Sequence, residues 1–308
     1  MDISLALGGG GVRGIAHIGV LRALENHGFK IRAIAGTSAG GLFGAVYAAG
    51  FSTEKIEAKV NEMNQNWSFG RKSNDRPSLL GLSGIIDILS DMLGDTTFKE
   101  LKIPFAATAV SLHSGKEIIL RKGKVIDAVL ATIAVPGVFP SQEIGGRVLI
   151  DGGVMDPVPV RVARWLQPDL PVVAVMLHKT PEGFSEELPP LTLPIPGSTT
   201  IIEHLTKLRP VQAFQIFAQS IEVASKHLTE LSLRLYEPEV IIEPRVGHYS
   251  ILQEVAANEL IDEGVRAAEE TLNEIRSEVN WMRKIQRKVR RRIVSDPYPE
   301  EWEIVSDK

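Results

Sequence analysis

The first fifty residues alternate between short apolar runs and segments in which apolar residues recur at helical spacing. Two apolar runs, 3–7 and 29–35, predict strands. The segment 13–27 between them predicts a helix, and 39–49 predicts a second helix directly after the second strand. The apolar positions with helical spacing in the first helix are Ile15, Ile18, Leu21 and Leu24. Strand, loop, helix, strand, turn and helix in this order are typical of parallel βα units, so the pattern predicts an α/β fold.

The rest of the chain continues this alternation. Further strands are predicted at 105–111, 117–121, 148–150, 172–177 and 239–244. Further helices are predicted at 125–134, after Pro210 and at 249–278. The segment 180–198 holds five prolines and two glycines and predicts an exposed loop or flap. We therefore expect one α/β domain over residues 1–275 and a C-terminal tail over 276–308.

Composition narrows the class of protein. With 308 residues, 44% of them hydrophobic, the chain can bury a sizeable core and is expected to be a globular, enzyme-sized protein. No apolar run approaches the ~20 residues that a membrane span needs, and glycines interrupt the best candidate, 31–51. Asp2 does not fit the basic start of an export signal, and the chain has no cysteine for a disulfide framework. We therefore expect a cytoplasmic protein.

The loop after the first predicted strand spells G-x-G-x-x-G over residues 9–14. In this context the motif is typical of dinucleotide-binding proteins, which also need an acidic residue at the end of the next strand. The second predicted strand ends Ala-Ile-Ala-Gly-Thr at residues 33–37 and has no acid there. A Walker-type phosphate loop also fails, because no Lys-Ser or Lys-Thr follows the glycines. Nucleotide binding is therefore a poor explanation of this loop.

The turn after the second predicted strand spells G-x-S-x-G over residues 36–40. Between a strand and a helix, this motif is typical of a nucleophile elbow, in which the serine has a strained backbone and small neighbours let strand and helix approach. If the two strands are parallel and adjacent, both loops open on one edge of the sheet and the glycine run lies beside Ser38. The N–H groups of Gly10 and Gly11 would then point at the oxyanion that forms when Ser38 attacks an acyl carbonyl.

Arg13, in the first turn of the predicted helix, has two interpretations. Its guanidinium can attract an anionic substrate head group, or it can brace the glycine loop through a salt bridge. Both interpretations stay open at the level of sequence.

Ser38 needs a base, and none of the seven histidines lies in a context that marks it. His17 is expected to pack or cap the first helix rather than to catalyse. Asp151 is a better candidate, because it directly follows an apolar strand and precedes two glycines that let the backbone approach a partner. An ordinary Asp-Gly turn would explain the same residues. A Ser-Asp-His triad of the α/β-hydrolase type is a further alternative, with His178, His227 or His248.

Four segments, in this order and spacing, resemble the four blocks of the patatin-like phospholipase family. They are the glycine run with Arg13, the elbow around Ser38, the segment ATIAVPGVFP at 131–140, and Asp-Gly-Gly at 151–153. The similarity covers residues 3–272, with Thr132 as a departure, since many family members have serine there. The resemblance implies a three-layer α/β/α fold with a central, mostly parallel sheet and a Ser-Asp dyad at the carboxyl edge of its strands.

The resemblance also implies a chemistry. It is that of a serine acyl hydrolase that cleaves fatty acyl esters of phospholipids or lysophospholipids, without a metal or another cofactor. Ser38 is then the nucleophile and Asp151 the base that takes its proton. The oxyanion hole is assigned to Gly9, Gly10, Gly11, Val12, Arg13 and Gly14. The residues flanking the dyad are Gly36, Thr37, Ala39, Gly40, Gly152 and Gly153. A catalytically silent adaptor that binds a membrane or a partner is the alternative from another functional class.

The C-terminal tail has a charge balance of its own. Residues 276–292 include eight basic side chains and one acidic side chain, a net of +7, whereas the whole chain carries −4. If 281–293 is helical, four apolar residues recur every fourth position, as in a basic amphipathic helix on an anionic membrane surface. These residues are Trp281, Ile285, Val289 and Ile293. A solvated helix packed on the domain and an arm for nucleic acid are the alternatives. We favour peripheral contact with the inner face of a membrane and expect no nucleic-acid partner.

Overall fold

The computed structural model describes residues 1–66, 76–78, 80–178, 209–251, 253, 255–280, 283, 287 and 303–304. The strands are β1 (Asp2–Leu7), β2 (Lys30–Gly36), β3 (Phe105–Ser111), β4 (Glu117–Leu120), β5 (Gln142–Ile144), β6 (Arg147–Asp151), β7 (Val172–Val175), β8 (Val240–Ile242) and β9 (Glu303–Ile304). The helices are α1 (Ala16–Asn26), α2 (Ala39–Ala48), α3 (Thr53–Asn66), α4 (Ser83–Leu93), α5 (Val125–Thr132), α6 (Val160–Leu166), α7 (Arg209–Tyr236) and α8 (Ala257–Glu278). Short 3-10 helices span Gly11–Ile15, Phe98–Glu100 and Gly152–Val154.

The strands of the described residues form a single sheet. Five of them, in the order β3-β2-β1-β7-β8, run parallel to their neighbours. β4 and β6 pair with β3 in the antiparallel direction, and β5 pairs with β6 in the same way. β9 pairs in parallel with β4, so residues 303–304 of the tail return to the sheet. The sheet is therefore mixed and mostly parallel.

Helices cover both faces of this sheet. On one face, Leu5 and Leu7 of β1 lie in a core that includes buried residues of α1, α2, α5 and α8. On the other face, Ala6 packs in a second core with Ala163 of α6, against which Leu233 of α7 also lies. Strands buried on both faces are expected to be apolar throughout, as β1 is apart from Asp2 and Ser4. The fold is three-layer α/β/α, which confirms the predicted fold class.

Some elements differ from the sequence prediction. The pattern misses α3, which is rich in polar residues, as well as α4 and the short α6 and β5. The helix predicted over 249–278 begins only at Ala257. Upstream of it, the carbonyl oxygens of Tyr249 and Ile251 accept hydrogen bonds from the Arg13 side chain at 2.7 Å and from the Val12 N–H at 2.9 Å. This segment is held against the glycine loop instead of continuing the helix.

β2 and β6 share one edge of β3, and this arrangement positions the site. β4 occupies the other edge of β3. On the shared edge, β2 pairs with Phe105–Ala107 and β6 with Ala109–Ser111, so that only Thr108 lies between the two sets of pairs. The end of β2 at Gly36 therefore meets the end of β6 at Asp151. Although β6 is antiparallel, it brings its last residue to the carboxyl edge at which β2 ends.

Candidate active site

Ser38 occupies the sharp turn between β2 and α2. Its φ of 53° and ψ of −123° lie in a region that non-glycine residues rarely adopt, as expected of a nucleophile elbow. The turn also needs small neighbours. A Cβ atom on Gly40 would lie 2.1 Å from the carbonyl oxygen of Leu7, and one on Gly36 would lie 2.5 Å from that of Gly40. The glycines of the G-x-S-x-G motif thus permit the close approach of strand and helix.

Thr132, the last residue of α5, forms a hydrogen bond with the turn at Ser38. Its Oγ1 accepts a hydrogen bond of 2.9 Å from the N–H of Ser38, and its side chain is fully buried. This N–H is one of the donors that the first turn of α2 leaves unpaired. Thr132, the departure from the family that the sequence resembles, therefore contacts the serine directly, through an oxygen that a serine side chain also provides.

Asp151 lies beside Ser38 and is almost completely buried. Its Oδ1 accepts a hydrogen bond of 2.7 Å from the N–H of Gly153. Burial raises the pKa of Asp151 to about 6, and the hydrogen bonds from Ser38 and Gly153 oppose part of that rise. The structure therefore brings together the hydroxyl and the carboxyl group that the sequence singles out.

Two threonines connect the ends of β2 and β6. Thr37 donates from Oγ1 to the carbonyl oxygen of Asp156 at 2.8 Å and lies 2.7 Å from Oγ1 of Thr108. Since the Thr37 hydroxyl has a single proton, Thr108 is the donor of the second hydrogen bond. Gly152 lies against Thr108 with no room for a side chain. The residues before Ser38 and after Asp151 are thus fixed to the same residue of β3.

The glycine loop lies against Ser38. A Cβ atom on Gly9 would lie 3.2 Å from the Cβ of Ser38, and Gly14 packs on Ala39. The N–H of Gly9 donates to Pro157 at 2.9 Å, and that of Val12 donates to Ile251 at 2.9 Å. By contrast, the N–H groups of Gly10 and Gly11 donate to no backbone acceptor among the described residues. Two backbone donors of the loop that contacts Ser38 through Gly9 are therefore available to a ligand.

His17 forms a hydrogen bond with the start of this loop. Its Nε2 donates to the carbonyl oxygen of Gly8 at 2.8 Å, and the side chain is fully buried. Burial lowers the pKa of His17 to about 4, so the ring is neutral at physiological pH. His17 packs beneath the loop, as the sequence indicates, and does not contact the serine.

Arg13 is fully buried, and its partners lie on other elements than the turn at Ser38. Its guanidinium forms a salt bridge of 2.7 Å with Glu222 of α7 and donates to His178 at 3.1 Å, while its Nε donates to Tyr249. Of the two interpretations of Arg13, attraction of a substrate head group is not supported, because each nitrogen of the guanidinium has a partner inside the protein. The alternative, a brace for the loop, describes what the side chain does.

The histidines considered for a triad lie elsewhere. His178 accepts the hydrogen bond from Arg13, and burial, with the charges of Arg13 and Lys226, lowers its pKa to about 3. His227 contacts the carbonyl oxygen of Val223 on its own helix, and the ring of His248 packs on Tyr249. In the described part of the chain, none of these three contacts Ser38 or Asp151. His204 lies outside the described residues.

Three residues that support the site carry no sequence signal that marks them. Thr108, Asp156 and Glu222 lie 71, 119 and 209 positions from the site residues they contact. Their roles depend on tertiary contacts that local spacing does not encode. The pair Asp156-Pro157 is the partial exception, since it follows the Asp-Gly-Gly segment closely and its two carbonyl oxygens hold Thr37 and Gly9.

Two predicted features lie outside the described residues. They are the proline-rich segment 180–198 and the apolar positions of the tail, Trp281, Ile285, Val289 and Ile293. For the part of the chain that is described, no helix has both the length and the hydropathy required to cross a membrane. Arg287 lies close to α8, where it donates to the carbonyl oxygen of Glu278 at 2.9 Å.

Comparison with known proteins adds an independent observation. The family model described as patatin-like phospholipase matches residues 5–164, just over half of the chain. An NTE family protein of Mycobacterium bovis is 36% identical over 189 residues, which are 61% of this chain and 52% of that protein. Lysophospholipase NTE1 of Saccharomyces cerevisiae is 29% identical over 172 residues, covering 53% of this chain and 10% of the yeast protein. The chain thus spans about half the length, or less, of these relatives.

Among solved structures, VipD from Legionella pneumophila is similar with a TM-score of 0.49 and 13% sequence identity. That similarity covers 89% of this chain and 67% of the VipD chain.

Proposed function

The chain belongs to the patatin-like phospholipase family, and we propose that it is a serine acyl hydrolase acting on fatty acyl esters of phospholipids or lysophospholipids. The observation that carries this proposal is that the strained turn at Ser38 and the buried Asp151 meet where β2 and β6 end on one edge of β3. The two backbone donors of Gly10 and Gly11, in the loop whose Gly9 contacts Ser38, support it. The substrate class is supported by the family and by the yeast relative, which is named a lysophospholipase.

In the proposed reaction, Asp151 acts as the general base. A carboxylate with a pKa of about 6 is a stronger base than an ordinary aspartate and is still mostly ionised at pH 7. It accepts the proton of Ser38 as Oγ attacks the acyl carbonyl carbon. Collapse of the tetrahedral intermediate releases the alcohol portion of the lipid, which takes the proton, and leaves an acyl-serine. Asp151 then activates a water molecule that hydrolyses the acyl-serine to the fatty acid.

The glycine loop is proposed as the oxyanion hole. The negative charge of the tetrahedral intermediate develops on the former carbonyl oxygen, and the N–H groups of Gly10 and Gly11 are free to donate to it. They lie at the start of a 3-10 helix that leads into α1, where unpaired backbone donors favour a negative charge. Because Arg13 and His17 fix this loop, the donors do not have to reorganise when the charge appears.

Two other functions are less well supported. A histidine-dependent triad would need a histidine in contact with Ser38 and Asp151. The described candidate histidines contact other residues instead. A silent adaptor would not need a strained serine beside a buried carboxyl group. Peripheral membrane contact through the basic residues of 276–292 remains our proposal for the tail.

The test is fatty acid release from lysophosphatidylcholine and phosphatidylcholine by the wild-type chain, by Ser38→Ala and by Ser4→Ala. Ser4 is a matched control, because it is a buried serine on β1 that donates to Ala163 and lies in the packed interior. We expect release by the wild type and by Ser4→Ala, and none by Ser38→Ala. Equal release by all three chains, or none by the wild type on either lipid, would contradict the proposal.

A further inference from the structure

Asp156 is a buried carboxyl group close to the site, and the proposed reaction does not use it. We propose that Asp156 is a positioning residue, whose side chain fixes the short segment that connects the turn at Ser38 to the glycine loop. The proposal rests on the function proposed above, since it concerns how the nucleophile and the oxyanion hole keep their relative positions. Asp156 acts in this role through other residues and does not contact the substrate.

The backbone of Asp156 and Pro157 contacts both loops of the site. The carbonyl oxygen of Asp156 accepts the hydrogen bond from Thr37, the residue before Ser38, at 2.8 Å. The carbonyl oxygen of Pro157 accepts a hydrogen bond from the N–H of Gly9 at 2.9 Å. These two residues are thus a direct connection between the nucleophile and the glycine loop. A shift of this dipeptide changes the distance between the two loops.

The side chain of Asp156 lies in the interior, on the side of the sheet that α6 and α7 cover. It is 7% exposed, and its Oδ1 accepts a hydrogen bond from Ser232 of α7 at 3.4 Å. The N–H of Asp156 donates to the carbonyl oxygen of Gly152 at 2.9 Å, which fixes the backbone on the other side. Both the side chain and the backbone of this residue are therefore held by the fold.

The register of the sheet places a second buried carboxyl group near Asp156. Glu117 of β4 pairs with Val110 of β3, and side chains alternate along a strand, so Glu117 lies on the same face as Thr108. The hydroxyl group of Thr108 donates to Thr37, which in turn donates to Asp156. Glu117 is 6% exposed. Two buried carboxyl groups therefore lie on one face of the sheet, close to Thr37.

This arrangement favours the neutral form of Asp156. Burial and the neighbouring charge of Glu117 raise the pKa of Asp156 well above that of an ordinary aspartate, and Arg161 and Ser232 oppose part of the rise. Arg161 of α6 forms a salt bridge of 3.5 Å with Glu117, so the negative charge of this pair of carboxyl groups has its counterion at Glu117. Asparagine has the shape of a protonated aspartate and is also neutral. It should therefore replace Asp156 in the positioning role.

The test compares the wild-type chain with Asp156→Ala, Asp156→Asn and the control Glu239→Ala. Glu239 is a matched control, because it is a carboxylate with a side chain only 14% exposed that accepts hydrogen bonds from Arg164 at 2.8 Å and from the N–H of Val172 at 2.7 Å. Val172 begins β7, so this control lies at the edge of the sheet opposite to the site. Thermal unfolding establishes the stability of each chain, and the milder Asp156→Ser takes the place of the alanine variant if that variant does not fold.

The first measurement is kcat and KM for a soluble ester at a temperature at which every chain is folded. We expect Asp156→Ala to lower kcat roughly ten- to hundredfold, with a smaller change in KM, because small displacements of catalytic groups have effects of this size. Asp156→Asn should restore kcat to near the wild-type value. Glu239→Ala should lower the unfolding temperature and leave kcat unchanged, which is the result expected of a merely structural residue.

The second measurement is amide hydrogen exchange, which does not depend on turnover. Asp156→Ala should exchange faster than the wild type in segments 8–14 and 36–42, because both loops lose their fixed connection. Asp156→Asn should exchange as the wild type does. Glu239→Ala should exchange faster in β7 and β8 instead. A wild type that hydrolyses no ester would contradict the proposed function, whereas the exchange rates decide on the positioning of the loops in either case.

Three results would overturn the proposal. The first is wild-type exchange in segments 8–14 and 36–42 of Asp156→Ala, or wild-type kcat in an active enzyme. The second is an equal loss in Asp156→Asn, which would mean that a neutral side chain of the same shape does not suffice. The third is an equal loss of kcat in Glu239→Ala, since the effect would then follow from lower stability alone.

Discussion

Arg13 and Glu222 form a salt bridge of 2.7 Å in the interior, although 209 positions of sequence separate them. The bridge connects the glycine loop to α7, the helix that packs on the segment after Asp151. The glycine loop and the segment after Asp151 therefore both contact the same helix, α7. The same bridge explains how an arginine can be fully buried within a loop that must expose two backbone donors.

Removing Glu222 should destabilise the protein, because it leaves the Arg13 charge buried without its partner. Loss of one member of a buried pair typically costs about 3–5 kcal/mol in the free energy of unfolding. We expect a loss near that size for Glu222→Ala in urea unfolding, and a smaller loss for Glu222→Gln, which keeps a hydrogen-bond acceptor. As a control, Glu230→Ala on the same helix, whose partner Arg234 is exposed, should cost less than about 1 kcal/mol. Similar losses for Glu222→Ala and Glu230→Ala would contradict the interpretation.

The activity should depend on the ionisation of Asp151. A general base must be deprotonated, so kcat/KM for a soluble ester is expected to rise with pH and to level off above the pKa of about 6. The pKa values of His17 and His178, about 4 and 3, lie too low to produce the same inflection. The measurement is kcat/KM between pH 4.5 and 8.5. A flat profile over this range would contradict Asp151 as the base.

The raised pKa of Asp151 also predicts how stability changes with pH. Folded Asp151 holds its proton up to a pH of about 6, whereas an unfolded aspartate loses it near 4. The folded state therefore binds more protons in this window, and its stability decreases as the pH rises from about 4 through 6. The full effect of a shift of this size is about 3 kcal/mol at most.

Asp151→Asn removes this titration and should be more stable than the wild type at pH 8, with a smaller difference at pH 4. Urea unfolding of both chains at the two pH values measures this change. A difference that stays constant with pH would show that burial of the charge does not destabilise the wild type.

Thr132 should position Ser38 through the oxygen of its side chain. Thr132→Val keeps the shape but leaves the buried N–H of Ser38 without an acceptor, which costs about 1–3 kcal/mol. If the loss of this hydrogen bond distorts the turn at Ser38, kcat should decrease roughly ten- to hundredfold, with a smaller change in KM. Thr132→Ser restores the acceptor and should regain most of the activity. Equal activity in the valine and serine variants would assign Thr132 to packing alone.

The sequence predicts the local elements of the site well, and the reason is physical. The strand, turn and helix around Ser38 depend on contacts between residues close in sequence, such as that of Gly36 with Gly40, and these contacts constrain which residues can occupy the turn. The mostly parallel sheet follows from the βα order. The same order also predicts that the site lies at the carboxyl edge of the sheet.

The parts that the sequence does not predict depend on distant contacts. Nothing near Asp151 indicates that its strand is antiparallel, or that it shares an edge of β3 with β2. The role of Arg13 stays open until α7 brings Glu222 to it.

The most direct test of the Ser-Asp site is covalent labelling with a fluorophosphonate, with the adduct located by mass spectrometry. We predict an adduct on Ser38 of the wild type and an equal rate for the control Ser4→Ala. Ser38→Ala should give no adduct, and Asp151→Asn should label about a hundredfold more slowly, the lower end of the usual effect of a general base. Labelling of all four chains at the same rate, or an adduct on another residue, would contradict the site.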